Sequence, residues 1–268
     1  MDMASSNVTI GFIGYGNMAQ AIAQGLVGAG VIDGSQVVAT TPHFGSLQAA
    51  AERIGARPVR TAAEVVQASD IVVVAVKPKQ VEDALAPIVD DLDEDGRFVL
   101  SIVGGYTYSW YQDVLKADTH LICAVPNTPI AVGKGILATE TTHSLTAEQY
   151  RTFKDVFGPV ALIEEVPTDQ LGIATTVAGC APAFTAMYME ALADAGVKHG
   201  LSRLSAYRLA AQMVEGTGAL YLATGTNPGA MKDQVTSPGG TTIKGVAALE
   251  KDGFRGAVID AVDAIEGE

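Results

Sequence analysis

The sequence predicts a two-part chain: an α/β unit built on a parallel sheet, followed by an all-helical unit. Three observations carry this. Short apolar runs alternate with helical patterns as far as Val166. Residues 71–76 (IVVVAV) are continuously apolar, as in a strand covered on both faces, and 98–103 (FVLSIV) are similar, broken only by Ser101. Beyond Pro167 the strand signals stop, and long alanine-rich stretches with helical spacing take over.

In chain order, residues 8–13 read as a short strand ending at glycines, and 18–28 as the helix that follows. A strand at 37–40, a helix at 46–54, the strand at 71–76 and a helix at 81–90 come next. The strand at 98–103 is followed by a helix at 110–115 and by weaker strands at 121–125 and 136–138. A helix over 147–157 opens with Thr146 and Gln149 at capping-box spacing, and 160–163 is the last strand. In the second half, 171–198 reads as helix broken near Gly179 and Pro182. Ser202 caps a helix over 202–223, with Leu209, Met213, Gly216 and Leu220 at helical spacing. Helices over 241–251 and 255–266 complete the chain. The change of pattern at 164–168 predicts domains at 1–165 and 166–268. Residues 90–95 (DDLDED) read as a solvated surface turn.

Of 268 residues, 48% are hydrophobic and 18% charged, a composition that builds a core and excludes a disordered chain. The net charge of −13 argues against a nucleic-acid partner. Cys123 and Cys180 are too few for a disulfide framework, which points to a reducing, cytoplasmic setting. The first seven residues (MDMASSN) carry an acid and no base, unlike a secretory leader. The uncharged stretches 10–32 and 171–189 hold too many glycines and polar residues for membrane spans.

Chemistry concentrates in two glycine-rich turns. Gly14-Tyr15-Gly16-Asn17-Met18-Ala19 joins the first strand to the first helix. Gly14 permits a tight turn, Gly16 allows close approach of a pyrophosphate, and Ala19 allows close helix–strand packing above a helix N-terminus that favours anions. After the second strand, Val38-Ala39-Thr40-Thr41-Pro42-His43 lacks the acid that holds a ribose 2′-hydroxyl. Thr40 and Thr41 are donors for a 2′-phosphate, so NADPH is favoured, with NADH as the alternative; no arginine occurs in that segment. Lys77, in Val76-Lys77-Pro78, follows the strand at 71–76, at the edge where such sheets bind ligands. The second turn is Ser237-Pro238-Gly239-Gly240-Thr241-Thr242, where Thr241 and Thr242 are N-cap residue types at a helix entry suited to a small carboxylate.

Other chemistries find little support. His43, His120, His143 and His199 have no metal-ligand spacing, so no metal is expected. No nucleophile-elbow or Walker A pattern occurs. Cys180 reads as a small buried helix residue, and Phe184, Met187 and Tyr188 as core or interface.

Four motifs in register resemble pyrroline-5-carboxylate reductase: the Gly14–Ala19 turn, Ala75-Val76-Lys77-Pro78, Pro126-Asn127-Thr128-Pro129, and the segment from Val235 to Ile243. The resemblance runs from Ile10 to Ala264. It implies NAD(P)H-dependent reduction of 1-pyrroline-5-carboxylate to L-proline, the last step of proline biosynthesis. It also implies a Rossmann-type domain followed by a helical dimerisation domain, paired as a homodimer or larger homo-oligomer. In that family the active site lies where the helical segment of one subunit meets the dinucleotide domain. Carried over by position, the cofactor contacts Gly14, Gly16, Asn17, Met18, Thr40, Thr41, Ala75, Val76, Lys77, Pro78, Val103 and Gly104. The imino acid meets Gly239, Gly240 and Thr241, with Val235 nearby, and the resemblance implies Thr242 and Ser237 as the catalytic residues, Thr242 donating toward the ring nitrogen.

Two departures stand out. The family's Ser-Gly-Ser-Gly-Pro-Ala-Tyr is here Ala178-Gly179-Cys180-Ala181-Pro182-Ala183-Phe184, and Ala62 replaces an asparagine near the adenosine phosphate. The alternatives to this reading are a related imine or β-hydroxyacid reductase, or a non-catalytic nucleotide-binding homologue.

Overall fold

A computed structural model describes residues 7–94 and 96–267. The first six residues of the segment compared with a secretory leader, and Asp95 of the acidic turn, lie outside them. The chain forms two compact units, divided between Gly179 and Cys180.

The first unit runs β1 (Ile10–Ile13), α1 (Asn17–Gly28), β2 (Val37–Thr40), α2 (Phe44–Ala51), β3 (Arg57–Pro58), α3 (Ala62–Gln67), β4 (Ile71–Val74), α4 (Val81–Leu85), β5 (Phe98–Ser101), α5 (Tyr108–Val114), β6 (Leu121–Pro126), β7 (Gly135–Glu140), α6 (Ala147–Phe157), β8 (Ala161–Val166) and α7 (Leu171–Thr175). The strands form one sheet in the order β3-β2-β1-β4-β5-β6-β7-β8. Strand order reverses between β1 and β4, which makes the carboxyl edge there the expected ligand crevice.

The continuous apolar runs have a plain cause. Ile71 and Val73 join the core on one face of the sheet with Phe12, Ile22 and Leu26, while Val72 and Val74 join the core on the other with Val65, Leu85 and Tyr111. Both faces are covered, so every position in β1, β2, β4 and β5 is buried.

The sequence predicts a parallel sheet, but one pair departs from that: β6 and β7 are antiparallel. Only a short 3₁₀ segment, Thr128–Val132, joins them, and a parallel crossover needs a dozen or more residues. Two elements of this unit escaped the sequence reading, as did a third, Pro228–Gln234, in the other. β3 is two residues long, and α3 is a single short helix, although Thr61 and Glu64 form a reciprocal capping box at its start. The helix expected to reach residue 90 stops at Leu85, just before Pro87. The acidic turn is tied down: Lys116 Nζ pairs with Asp90 and Asp93, and Arg97 pairs with Glu94.

The second unit contains α8 (Ala181–Lys198), α9 (Arg203–Thr224), α10 (Pro228–Gln234), α11 (Thr241–Lys251) and α12 (Phe254–Glu266). α8 and α9 pack through small buried residues, Ala193, Ala206 and Ala210. The expected break at Gly179 and Pro182 is instead a π-helical turn, Thr176–Cys180, within one helical run from Thr168 to Lys198. Pro182 is tolerated because it stands in the first turn after that wide segment. Cys180, expected to be buried, is half-buried. The compact units therefore divide later than the strand-to-helix change at 164–168. Residues 168–178 hold to the sheet through Thr168 Oγ1, which donates to buried Glu140 (2.7 Å), and through the Ala178 carbonyl, which accepts from Asn127 Nδ2 (2.9 Å).

Behind the crevice, Ser101 at the end of β5 and Tyr111 share a buried hydrogen bond of 2.6 Å, and the Ser101 hydroxyl also accepts from the Val103 N–H (3.3 Å). Burial pushes the Tyr111 phenol well above its ordinary pKa, so it stays protonated. Tyr111→Phe is expected to lower stability by about 1–2 kcal/mol, read as a reduced urea midpoint at unchanged m-value.

Candidate active site

β1 hands over to α1 at Gly14, whose φ of +89° is open only to glycine. A side chain there would also stand 2.6 Å from the Ala75 carbonyl oxygen at the end of β4. The turn is fixed on both flanks: the Gly14 N–H donates to Thr40 O (3.0 Å), and the Ala75 N–H to Ile13 O (2.8 Å). Tyr15 turns inward against Phe12, ring centroids 5.7 Å apart, and burial pushes its phenol up to about 12.

Gly16 is the N-cap of α1, with no side-chain acceptor on the first-turn N–H groups and no acid in that turn. These N–H groups and the positive helix end therefore remain available to an anion. A Cβ built on Gly16 meets nothing within 4 Å, so the protein's own packing does not require glycine there. Open ground before an uncapped helix end fits a pyrophosphate.

A cleft of about 710 Å³ opens on this turn. Its wall takes Gly14 and Gly16 from the first turn, Thr40 and Thr41 after β2, and Ala75, Val76 and Lys77 after β4. A volume of this order suits a nucleotide. The structure thus gathers seven of the twelve expected cofactor residues around one space. Asn17 and Met18 continue into α1, and Pro78 begins a 3₁₀ turn whose carbonyl accepts from Tyr106 Oη (2.9 Å). Val103 and Gly104 lie past the end of β5, on the same carboxyl edge but outside that wall.

The cleft also holds residues the sequence reading passed over. Arg60 lines it, with its guanidinium carbon 4.3 Å from the centroid of the Phe44 ring. The sheet brings it there: β3 pairs with β2, and the Val59 N–H donates to Ala39 O. Its signal in the sequence was faint, because it sits 19 residues beyond Thr41 and depends on a two-residue strand.

In the helical unit, the Ser237–Thr242 turn closes with the Gly240 N–H on Ser237 O (3.0 Å) and Gly239 at φ +68°. Thr241 and Thr242 are not the N-cap, as expected; Gly240 is, because its extended backbone precedes the first helical residue of α11. Both threonines occupy the first turn of α11 with exposed side chains, as are Ser237 and Val235. The arrangement offers free helix N–H groups flanked by three hydroxyls, a setting for a small carboxylate.

Taken by class, an α/β nucleotide cleft joined to a helical unit defines a nicotinamide-dependent oxidoreductase. Family models agree: residues 9–105 match the coenzyme F420-dependent NADP oxidoreductase model, and residues 168–267 the pyrroline-5-carboxylate reductase dimerisation model. The chain is 41% identical over 261 residues to pyrroline-5-carboxylate reductase of Treponema pallidum, covering 96% of this chain and 98% of that one. It is 38% identical to the enzyme of Escherichia coli, covering 94% of each. The solved structure of Plasmodium falciparum pyrroline carboxylate reductase with NADP bound superposes with a TM-score of 0.84 at 29% identity, covering 98% and 97%. The chain belongs to the pyrroline-5-carboxylate reductase family.

Asn127, in the Pro-Asn-Thr-Pro motif, is buried and uses both ends of its amide: Oδ1 accepts from the Ile136 N–H (2.9 Å), and Nδ2 holds the π-helical turn at Ala178. Asn127→Ala should lower the thermal midpoint, at a cost of about 1–2 kcal/mol, by leaving two partly buried backbone groups, the Ile136 N–H and the Ala178 carbonyl, without that partner.

Proposed function

We propose that this protein reduces 1-pyrroline-5-carboxylate to L-proline with NADPH, NADH serving as a poorer donor, in the cytoplasm. The observation that carries the reading is the Pro-Gly-Gly turn at the start of α11, with its uncapped N–H groups and the hydroxyls of Ser237, Thr241 and Thr242. It is read together with near full-length identity to enzymes of that name.

The proposed contacts follow. Gly14, Gly16, Asn17 and Met18 hold the pyrophosphate, Thr40 and Thr41 face the adenosine ribose, and Ala75, Val76, Lys77, Pro78, Val103 and Gly104 line the remainder. Val235, Ser237, Gly239, Gly240 and Thr241 hold the imino acid by its carboxylate. NADPH, when bound, supplies the hydride that adds to the imine carbon, while the nitrogen ends with one proton. A threonine hydroxyl is too weak an acid to protonate an imine at neutral pH. The substrate is therefore taken as its iminium, or its proton is relayed by water. An iminium nitrogen has no lone pair to receive the hydroxyl hydrogen that the family resemblance implies, so toward it Thr242 Oγ accepts from the N–H instead and fixes the C=N bond for attack.

We also propose residues 166–268 as the dimerisation and substrate domain. The helical unit leaves large apolar side chains in the open, Met187 (69%), Leu204 (70%) and Leu222 (68%) among them. The run Thr168–Lys198 is long and apolar enough to cross a membrane by length and composition. Cover by a second copy accounts for both, and neither a membrane nor a nucleic acid is required as partner.

Thr242→Ala is expected to lower turnover about 10²–10³-fold while leaving the NADPH dissociation constant near wild type, measured by NADPH consumption and by direct titration. Wild-type turnover in that variant would remove Thr242 from the reaction. Light scattering should give a mass that is an integral multiple, two or more, of 27.7 kDa; a monomer would refute the pairing.

A further inference from the structure

We propose that Arg60 binds the 2′-phosphate of NADPH and sets the preference of this chain for NADPH over NADH; this rests on the nucleotide reading of the cleft. Absence of an acid after β2 removes repulsion toward a 2′-phosphate but supplies no attraction. That segment holds no arginine. A dianion taken out of water needs a cation or several donors beside it.

The fold provides one from a different strand. β2 and β3 are parallel with Ala39 opposite Pro58, and continuing that register sets Arg60 level with Thr41. Arg60, Thr40, Thr41 and Phe44 share the same stretch of cleft wall. The other strong cation of the cleft, Lys77, follows β4 instead. Stacking on Phe44 restrains the guanidinium and leaves its N–H edge for a phosphate.

Arg60 makes no salt bridge among the described residues, although, after the hydrogen bonds from Thr61, its charge helps to hold the Glu64 carboxyl below its ordinary pKa. Glu64, four residues on, accepts from the backbone N–H groups of Arg60 and Thr61 and from the Thr61 hydroxyl, so that carboxylate is engaged in capping α3. Asp83, on α4, is the acid of the cleft wall. The hydroxyls of Thr40 and Thr41, on the wall of the same cleft, add two neutral donors.

The test is calorimetric titration of the full-length protein, without imino-acid substrate, using NADPH, NADH, 2′-phospho-AMP and AMP. Arg60→Ala should weaken NADPH and 2′-phospho-AMP about 10–100-fold and leave NADH and AMP nearly unchanged. Arg60→Lys should recover part of the loss, since it keeps the charge but not the fork. Arg60 is exposed, so both variants should fold, which circular dichroism verifies. Equal weakening of NADPH and NADH, or no weakening of either, overturns the assignment while the nucleotide reading stands. A wild-type protein that binds none of the four probes overturns that reading itself, and this assignment with it.

Discussion

The architecture depends on one close approach. At Gly14 the chain leaves β1, turns with φ +89°, and passes within 2.6 Å, measured from a built Cβ, of the Ala75 carbonyl at the end of β4. No side chain fits there, and no other residue type adopts that backbone without strain. The turn sits at the one place where strand order reverses, so α1 begins over an open crevice rather than over a neighbouring crossover. Thr40 and Ala75 are tied to the same turn by backbone hydrogen bonds, which brings the ends of β2 and β4 into a single wall. Removing that approach would disturb the join between the ends of β1, β2 and β4 from which the cleft opens.

The helical unit obeys a different constraint. Its buried contacts between α8 and α9 run through alanines, while leucines and methionines point outward. Such a pattern gives little hydrophobic stabilisation to one copy alone, because the area removed from water is small. The proposed pairing of copies is what would supply the missing burial, tying the stability of the Ser237–Thr242 turn to assembly.

Much of this was legible in the sequence, and the reasons are physical. α6 falls at Ala147–Phe157 as expected because Thr146 and Gln149 form a reciprocal capping box whose spacing is readable in one dimension. β4 and β5 were clear because burial on both faces writes an unbroken apolar run. The direction of β7 was not legible, since it depends on the length of its connection rather than on its own residues. Arg60 was missed for a related reason: its place beside Thr41 is created by sheet pairing, not by neighbourhood along the chain. The π-helical turn at Thr176–Cys180 reads as a break in the sequence because glycine and proline mark both, and the Asn127–Ala178 hydrogen bond that meets the turn joins residues 51 apart in the chain. In the helical unit, Gly240 took the cap position that residue type alone had given to Thr241 or Thr242.

The central claim divides labour between two glycines: Gly14 makes the turn, and Gly16 keeps the space above the α1 N-terminus clear for a pyrophosphate. Gly16 separates the two roles, since its φ of −77° suits any residue and a Cβ there meets no atom of the protein. The direct measurement is the NADPH affinity and thermal midpoint of Gly16→Thr, a substitution that also suits an N-cap. The account predicts an unchanged or slightly raised midpoint with NADPH binding abolished. Wild-type NADPH affinity in that variant would contradict it.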